Sequence, residues 1–157
     1  MSESFKNYLK NIQASNVEFV VVPSGINGHN TTSYSNGTDS YNKRDVNSVV
    51  QIHSIYISQQ KRINGADRYN PKNFNSIDLY IRDINNPSVK IYVAFDIRIV
   101  PGSPYYIEKN ITLEPSQYLC AYSSLDSRDM DIYNNNSLSI LNSSVNLHLS
   151  VGSILIS

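Results

Sequence analysis

The sequence predicts an all-β protein, an antiparallel β-sandwich or jelly roll of about seven or eight strands with a short N-terminal helix or arm. Three observations lead to this fold class. Most apolar stretches alternate with polar residues at period two, turn residues separate these stretches, and no helical pattern lies between them. One-sided alternation also excludes a parallel sheet, whose strands are apolar on both faces.

The chain has 157 residues, which is enough for one domain with a substantial core. We therefore expect an N-terminal arm or short helix over residues 1–16 and a single sandwich domain over residues 17–157, with long insertions at 24–47 and 125–144. The helical prediction rests on an apolar stripe at spacings i, i+3, i+4 and i+7, formed by Phe5, Tyr8, Leu9 and Ile12. A helix this short is marginal in water, so the stripe must pack on its own sheet or on a neighbouring subunit.

The first predicted strand covers residues 17–22, and the insertion at 24–47 follows it. This insertion is rich in Gly, Asn, Ser and Thr, and its aromatic residues are Tyr34 and Tyr41. A connection this long is uncommon in a compact domain and is usually functional or disordered. Because it is poor in apolar residues, we expect it to add little to stability and to carry contacts with another molecule. A Gly/Ser linker in place of residues 25–45 should then leave thermal stability nearly unchanged.

The second predicted strand spans residues 49–58, and its apolar parity changes between Ile52 and Ile55. A one-residue β-bulge between them would return the apolar side chains of this strand to one face. After a polar link, residues 76–100 show the pattern of an antiparallel hairpin. Its second strand, over residues 89–99, has the longest uninterrupted alternation in the chain.

A tight corner is predicted at residues 114–117, where proline at the second turn position presets φ. The strand after the corner alternates between two faces, with Tyr118, Cys120 and Tyr122 on one and Leu119 and Ala121 on the other. The last strand begins at Val145, and Gly152 marks a parity change that indicates a further bulge before Ile154.

The composition argues against several classes of partner. The 13 basic residues balance the 13 acidic ones, which speaks against capture of nucleic acid or of an anionic membrane. No apolar run approaches the roughly 20 residues of a membrane span, and residues 1–16 lack the apolar centre of a secretory signal. Only 17% of the residues are charged, and 12 tyrosines among neutral polar residues suit contact with protein or with sugar.

No group of residues points to catalysis, a cofactor or a metal. The three histidines are His29, His53 and His148. Their spacing does not place two of them on one face beside a carboxylate. The one acidic cluster consists of Asp126, Asp129 and Asp131. It could supply three oxygens to calcium, but Arg128 lies inside it and no later glutamate completes it, so a solvated loop is favoured. Glu108 and Glu114 flank the corner without a sign that they converge, and the single cysteine, Cys120, is expected to be a buried, inert thiol.

The order of short motifs resembles that of small β-sandwich virion proteins of tailed bacteriophages. The matching pieces are Val22-Pro23, Ser54-Ile55-Tyr56-Ile57-Ser58, the paired strands over 77–99, Tyr105-Tyr106, and residues 113–124 and 149–156. The resemblance implies a non-enzymatic, multimeric component of a capsid, neck or tail, and it supplies no catalytic residue. The insertions at 24–47 and 125–144 depart from that group and are candidate binding sites for a partner of this chain's own.

Two functions are consistent with these observations. The first is a structural virion protein of a tailed phage, which binds other virion proteins and forms a homo-oligomer. The second is a carbohydrate-binding module on the same fold, in which exposed tyrosines stack on a glycan. The expected partner-binding residues are Tyr34, Tyr41, Tyr105 and Tyr106. We assign no catalytic, cofactor-binding or metal-binding residue.

Overall fold

A computed structural model of the chain describes residues 2–13, 18–30, 43–59, 75–100, 102–125 and 146–157. Within these ranges the chain forms nine β-strands and no helix. The strands are β1 (Glu3–Gln13), β2 (Glu18–Val22), β3 (Val49–Gln59), β4 (Asn75–Asp83), β5 (Asn86–Ile99), β6 (Tyr105–Ile107), β7 (Ile111–Leu113), β8 (Gln117–Leu125) and β9 (Asn146–Ile156).

The strands form two antiparallel sheets that share one core. In sheet A the order is β1–β9–β3, and the short strands β6 and β7 pair with successive parts of the other side of β3. In sheet B the order is β2–β8–β4–β5. Alternating apolar side chains from both sheets pack together, for example Ile55 and Ile57 of β3 with Ile77 and Leu79 of β4. The predicted antiparallel β-sandwich is confirmed.

The predicted N-terminal helix is wrong. Residues 3–13 form β1, which pairs with β9 along its whole length. Tyr8 and Lys10 face inward and are buried, whereas Phe5 and Leu9 face outward and are exposed. The apparent helical stripe therefore mixes residues from two faces of a strand. Eleven residues that pair along β9 gain a full ladder of backbone hydrogen bonds, and a short isolated helix cannot compete with that gain.

The bulge predicted in β3 is confirmed. The register between β3 and β9 shifts between Ile52 and Ser54, so that His53 is the extra residue opposite Gly152. The bulge predicted at Gly152 of β9 is wrong, because β9 pairs with β1 through this position without a shift. A Cβ atom at Gly152 would lie 2.7 Å from the Ser54 Oγ and 2.9 Å from the His53 Cε1. The glycine therefore makes room for the bulge of the neighbouring strand.

The predicted corner at residues 114–117 is also confirmed. The Gln117 amide donates a hydrogen bond to the Glu114 carbonyl at 2.9 Å, which closes a four-residue turn between β7 and β8. The two faces of β8 are those expected. Leu119 and Ala121 lie in the main core, and Tyr118 and Cys120 lie in a second cluster on the outer face of sheet B.

The strand β5 departs from the regular alternation expected of it. Its register with β4 shifts at three places, and Asp96 has a positive φ of 53°. Ile99 is buried and Ile97 is half-buried, but Ile91 and Phe95 are exposed. Sheet A therefore covers only part of β5. Since β5 pairs with β4 alone among the described strands, it forms an edge of sheet B.

Candidate interaction surfaces

The structure places Tyr105 and Tyr106 on opposite faces of sheet A. In β6, Tyr106 pairs with Tyr56 and Tyr105 pairs with Ile57, whose side chain points into the core. The ring of Tyr106 is 61% exposed on the outer face and meets the Tyr56 ring edge-on at 4.9 Å between centroids. Tyr105 is 38% exposed at the rim of the core side. The two tyrosines therefore cannot belong to one flat contact site.

The other two expected contact residues, Tyr34 and Tyr41, lie outside the described residues, as does the acidic cluster of Asp126, Asp129 and Asp131. The described chain nevertheless shows where these segments begin and end. Residues 30 and 44 lie beside the corner at 114–117, whereas residues 125 and 146 lie at the opposite end of the sandwich. The two insertions therefore leave the sandwich at opposite ends.

The ends of the first insertion form an ordered structure, residues 24–30 and 43–48, which we name the loop stem. The Arg44 amide donates a hydrogen bond to the Asn30 carbonyl at 3.2 Å, and the Asn30 Nδ2 donates one to the Arg44 carbonyl at 3.0 Å. The Gly25 amide donates to the Pro115 carbonyl of the corner at 2.6 Å. These contacts speak against the expectation that residues 24–47 add little to stability, as far as the loop stem is concerned.

Arg44 is the central residue of the loop stem and is only 1% exposed. Its guanidinium donates to five backbone carbonyls and one hydroxyl at 2.7–3.2 Å, namely those of Pro23, Ser48, Leu113, Glu114 and Gln117 and the Ser48 Oγ. Burial lowers the pKa of Arg44 to about 10, so it remains charged at neutral pH. The planar fork of arginine joins the loop stem to β7 and to the corner.

His29 also belongs to the loop stem. Its Nδ1 accepts a hydrogen bond from the Ser24 amide at 3.0 Å, and its ring lies 4.6 Å from the Tyr118 ring. An Nδ1 that accepts a hydrogen bond belongs to a neutral imidazole. Burial, and then the charge of Arg44, lower the pKa of His29. Among the described residues, no three His, Cys, Asp or Glu side chains cluster in a way that could hold a metal ion.

A polar cleft lies on the outer face of sheet A, where β6 and β7 separate beside the bulge of β3. Its volume is about 280 Å³. Side chains of Gln51, His53, Asn110 and Thr112 line it together with Ile154. Apart from Ile154 these side chains carry amide, hydroxyl and imidazole groups, and Tyr56 and Tyr106 lie further along the same face. The cleft offers hydrogen bonds to a neutral polar ligand and has no carboxylate in its lining.

The outer face of sheet B carries a fixed network around Tyr80. The Tyr80 hydroxyl donates to the Glu18 Oε2 at 2.5 Å, and the Arg82 guanidinium forms an ion pair with the same oxygen at 2.7 Å. The Arg82 guanidinium carbon lies 5.2 Å and the Lys90 Nζ 4.8 Å from the centre of the Tyr80 ring. Burial raises the pKa of the Glu18 carboxyl, but hydrogen bonds from Arg82 and Tyr80 outweigh it and leave this pKa below its usual value.

Cys120 lies in the same cluster and is buried, as expected. Burial raises the pKa of its thiol, and the neighbouring Glu18 carboxylate raises it further, so the thiol stays protonated at neutral pH.

Beyond this network, β5 presents aromatic side chains that are open to solvent. The Tyr92 ring lies 5.6 Å from the Tyr80 ring, and the Phe95 ring lies 5.1 Å from the Tyr92 ring at an interplanar angle of 86°. Phe95 is 63% exposed and Ile91, on the other face of the strand, is 55% exposed. Tyr92 and Phe95 were not predicted as contact residues, and for Phe95 the reason is that uninterrupted alternation indicates a side chain on the core face. The two register shifts that turn Phe95 outward leave no mark in that pattern.

No family model and no curated protein sequence matches this chain. Among solved structures, a chain of the infectious bursal disease virus particle matches 99% of this chain at 9% sequence identity, with a TM-score of 0.48. A chain of the VP2 subviral particle of that virus matches 99% of this chain at 10% identity, with a TM-score of 0.43. In both cases this chain spans 31% of the length of the matched chain. A likeness at this level identifies neither function nor partner.

Proposed function

We propose that this chain is a non-enzymatic structural protein of a virion that acts through protein–protein contacts, as a homo-oligomer and together with other virion proteins. The observation that carries the proposal is the row of exposed apolar side chains on β5. Soluble monomers rarely leave contiguous apolar surface of this kind open, and such surface is typical of protein interfaces. Because the Tyr80 network holds the underlying strands, the surface is rigid before a partner arrives.

We further propose that the virion is that of a tailed bacteriophage. The motif order of the sequence resembles small β-sandwich virion proteins of tailed bacteriophages, and this supports a role in capsid decoration, neck or tail. The loop stem supports a role for Tyr34 and Tyr41, because residues 31–42 leave and rejoin the sandwich at one point held by Arg44. Because the two ends of the loop are held at one point, less conformational entropy is lost when a partner orders the loop.

Incorporation into particles tests this function. Particles of the encoding virus would be purified on a density gradient, and the chain would be quantified in them by mass spectrometry against isotope-labelled peptides. We expect a fixed copy number that is a multiple of a symmetric oligomer and that survives a high-salt wash. A chain that is absent from purified particles, or present at a variable trace level, contradicts the proposal.

A second candidate function is carbohydrate binding, which the polar cleft on sheet A favours. An extended glycan could stack one sugar ring on the open face of Tyr106 and place another in the cleft, where Gln51 and Asn110 offer hydrogen bonds to hydroxyls. A glycan array tests it, with Tyr106→Ala and Asn110→Ala as disruptive variants. Tyr105→Ala is the matched control, since Tyr105 points to the other face. Binding that Tyr106→Ala abolishes and Tyr105→Ala preserves supports this function, and an array without any bound glycan contradicts it.

A further inference from the structure

We propose that two copies of this chain associate through their β5 strands about a two-fold axis that runs perpendicular to sheet B. Among the described strands, only β4 lies beside β5, so within this part of the chain no strand pairs with the other side of β5. Both faces of this edge carry open apolar side chains. Tyr92 and Phe95 lie on the outer face, and Val89 and Ile91 on the face towards the core side.

The order of side chains on the outer face of β5 indicates that the partner is a second copy. Along the strand this face presents a cation, two aromatic rings and an anion, which are Lys90, Tyr92, Phe95 and Asp96. We name these four residues the β5 strip. A second, antiparallel copy related by an axis through Val93 places each Lys90 opposite Asp96 of the partner subunit, and it brings the Tyr92 and Phe95 rings of both copies together at the centre. The strip is therefore complementary to itself under a two-fold axis, as an isologous interface requires.

The neighbouring antiparallel alignment of two β5 strands is less favourable. An axis through Val93 brings Lys90 opposite the partner's Asp96. An axis through Ala94, one residue further on, instead brings Lys90 opposite the partner's Arg98. Like charges that are directly opposite destabilise a strand pair, whereas opposite charges and aromatic pairs stabilise it. Of these two neighbouring registers, the charges favour the one with its axis through Val93.

Both charged ends of the β5 strip are held in place and retain binding capacity. The Lys90 ammonium lies over the Tyr80 ring, which leaves its three N–H donors for other acceptors. The Asp96 amide donates to the Asp78 Oδ1 at 2.7 Å, and one carboxylate oxygen of Asp96 accepts from the Ser76 hydroxyl, so the second oxygen remains. The positive φ of Asp96 and the shifts in register interrupt the backbone ladder. The contact is therefore made by side chains rather than by a continuous sheet across two copies.

The size of the strip sets the expected strength. The residues from Lys90 to Asp96 extend over roughly 20 Å, which gives an interface at the small end of the range, below the roughly 800 Å² per partner of a standard complex. We therefore expect a dimer with a dissociation constant in the micromolar range, on the order of 1–100 µM, at low salt. This inference concerns the isolated chain and does not depend on membership of a virion.

Sedimentation velocity on the purified chain tests the inference, over a dilution series from about 1 µM to about 1 mM. The wild type should shift from monomer to dimer, and Phe95→Ser and Lys90→Glu should each weaken the dimer by roughly tenfold or more. The matched controls are Phe5→Ser, an exposed phenylalanine on β1, and Lys109→Glu, an exposed lysine between β6 and β7, which should both dimerise as the wild type does.

A pair of charge-reversal variants gives the most specific test of the proposed dimer. Lys90→Glu and Asp96→Lys should each dimerise at least roughly tenfold more weakly than the wild type when alone, but a mixture of the two should form heterodimers, because one charge pair is then native and the other is restored with its signs reversed. Thermal unfolding shows whether each variant is folded, and Asp96→Asn, which suits the positive φ, replaces Asp96→Lys if the latter is unfolded and should weaken the dimer. A wild type that stays monomeric throughout the series, or a Phe95→Ser variant that dimerises normally, overturns the inference. Particle incorporation is measured separately, so either proposal can fail while the other stands.

Discussion

Removal of the Arg44 side chain should destabilise the fold more than any surface change in the loop stem. The variant Arg44→Met keeps an unbranched side chain but removes every guanidinium donor. Five carbonyls and the Ser48 hydroxyl then lose a charged hydrogen-bond partner in a buried site. An unsatisfied buried polar group costs about 1–3 kcal/mol, but the variant also removes the cost of burying a charge, and water can reach some of the carbonyls.

A net loss of about 3–5 kcal/mol in the free energy of unfolding follows, because two or more of these acceptors stay without a donor at about 1–3 kcal/mol each. This is a large share of the roughly 5–15 kcal/mol that stabilises a domain, and it corresponds to a fall of roughly 6–20 °C in Tm. Urea unfolding at neutral pH, followed by far-ultraviolet circular dichroism, measures the loss.

Two further variants make the test specific to the guanidinium. Arg44→Lys keeps the positive charge but has three donors and no planar fork, so it should recover less than half of the loss. Lys43→Met is the matched control, since Lys43 is exposed beside Arg44 and should unfold with the wild-type midpoint. If Arg44→Met unfolds within about 1 kcal/mol of the wild type, the loop stem does not depend on this residue and the reasoning is wrong.

Three other predictions concern the loop stem and the bulge. Replacement of residues 31–42 by a Gly/Ser linker should leave the urea midpoint unchanged, whereas replacement of 25–45 should unfold the domain; equal midpoints for the two would contradict the role of the stem. The free energy of unfolding should fall as pH drops from about 7.5 to about 5.5. The pKa of His29 is lowered in the folded protein, so as pH falls through the ordinary histidine pKa of 6.5 the unfolded chain binds this proton before the folded protein does. The stability that the neutral His29 contributes is fully present above pH 6.5. His29→Gln keeps an acceptor but does not titrate, so it should flatten the dependence of the free energy of unfolding on pH. An unchanged pH profile in this variant would refute the prediction. Gly152→Ala should cost about 1–3 kcal/mol by chemical denaturation, and His53→Ala should restore part of it, since the new methyl group meets the His53 ring; no recovery in the double variant would contradict this.

The local pattern of the chain was sufficient to predict the features that depend on neighbours in sequence. The bulge between Ile52 and Ile55 follows from a parity change within one strand, and the corner at 114–117 follows from proline at one turn position. The two faces of β8 follow from alternation alone. In each case the preference of a few consecutive residues and the final structure agree, so no knowledge of distant contacts was needed.

Features that depend on distant partners were decided only by the tertiary structure. The apolar residues of 3–13 show a helical spacing, but β9, which is more than 130 residues away, offers the backbone partners that make this segment a strand. Arg44 lies in a polar stretch that shows no apolar pattern, and its burial depends on carbonyls contributed by residues as far away as Gln117. Phe95 faces solvent because register shifts against β4 rotate it away from the core. Alternation records which residues are apolar, but the pairing of strands decides which of them a second sheet covers.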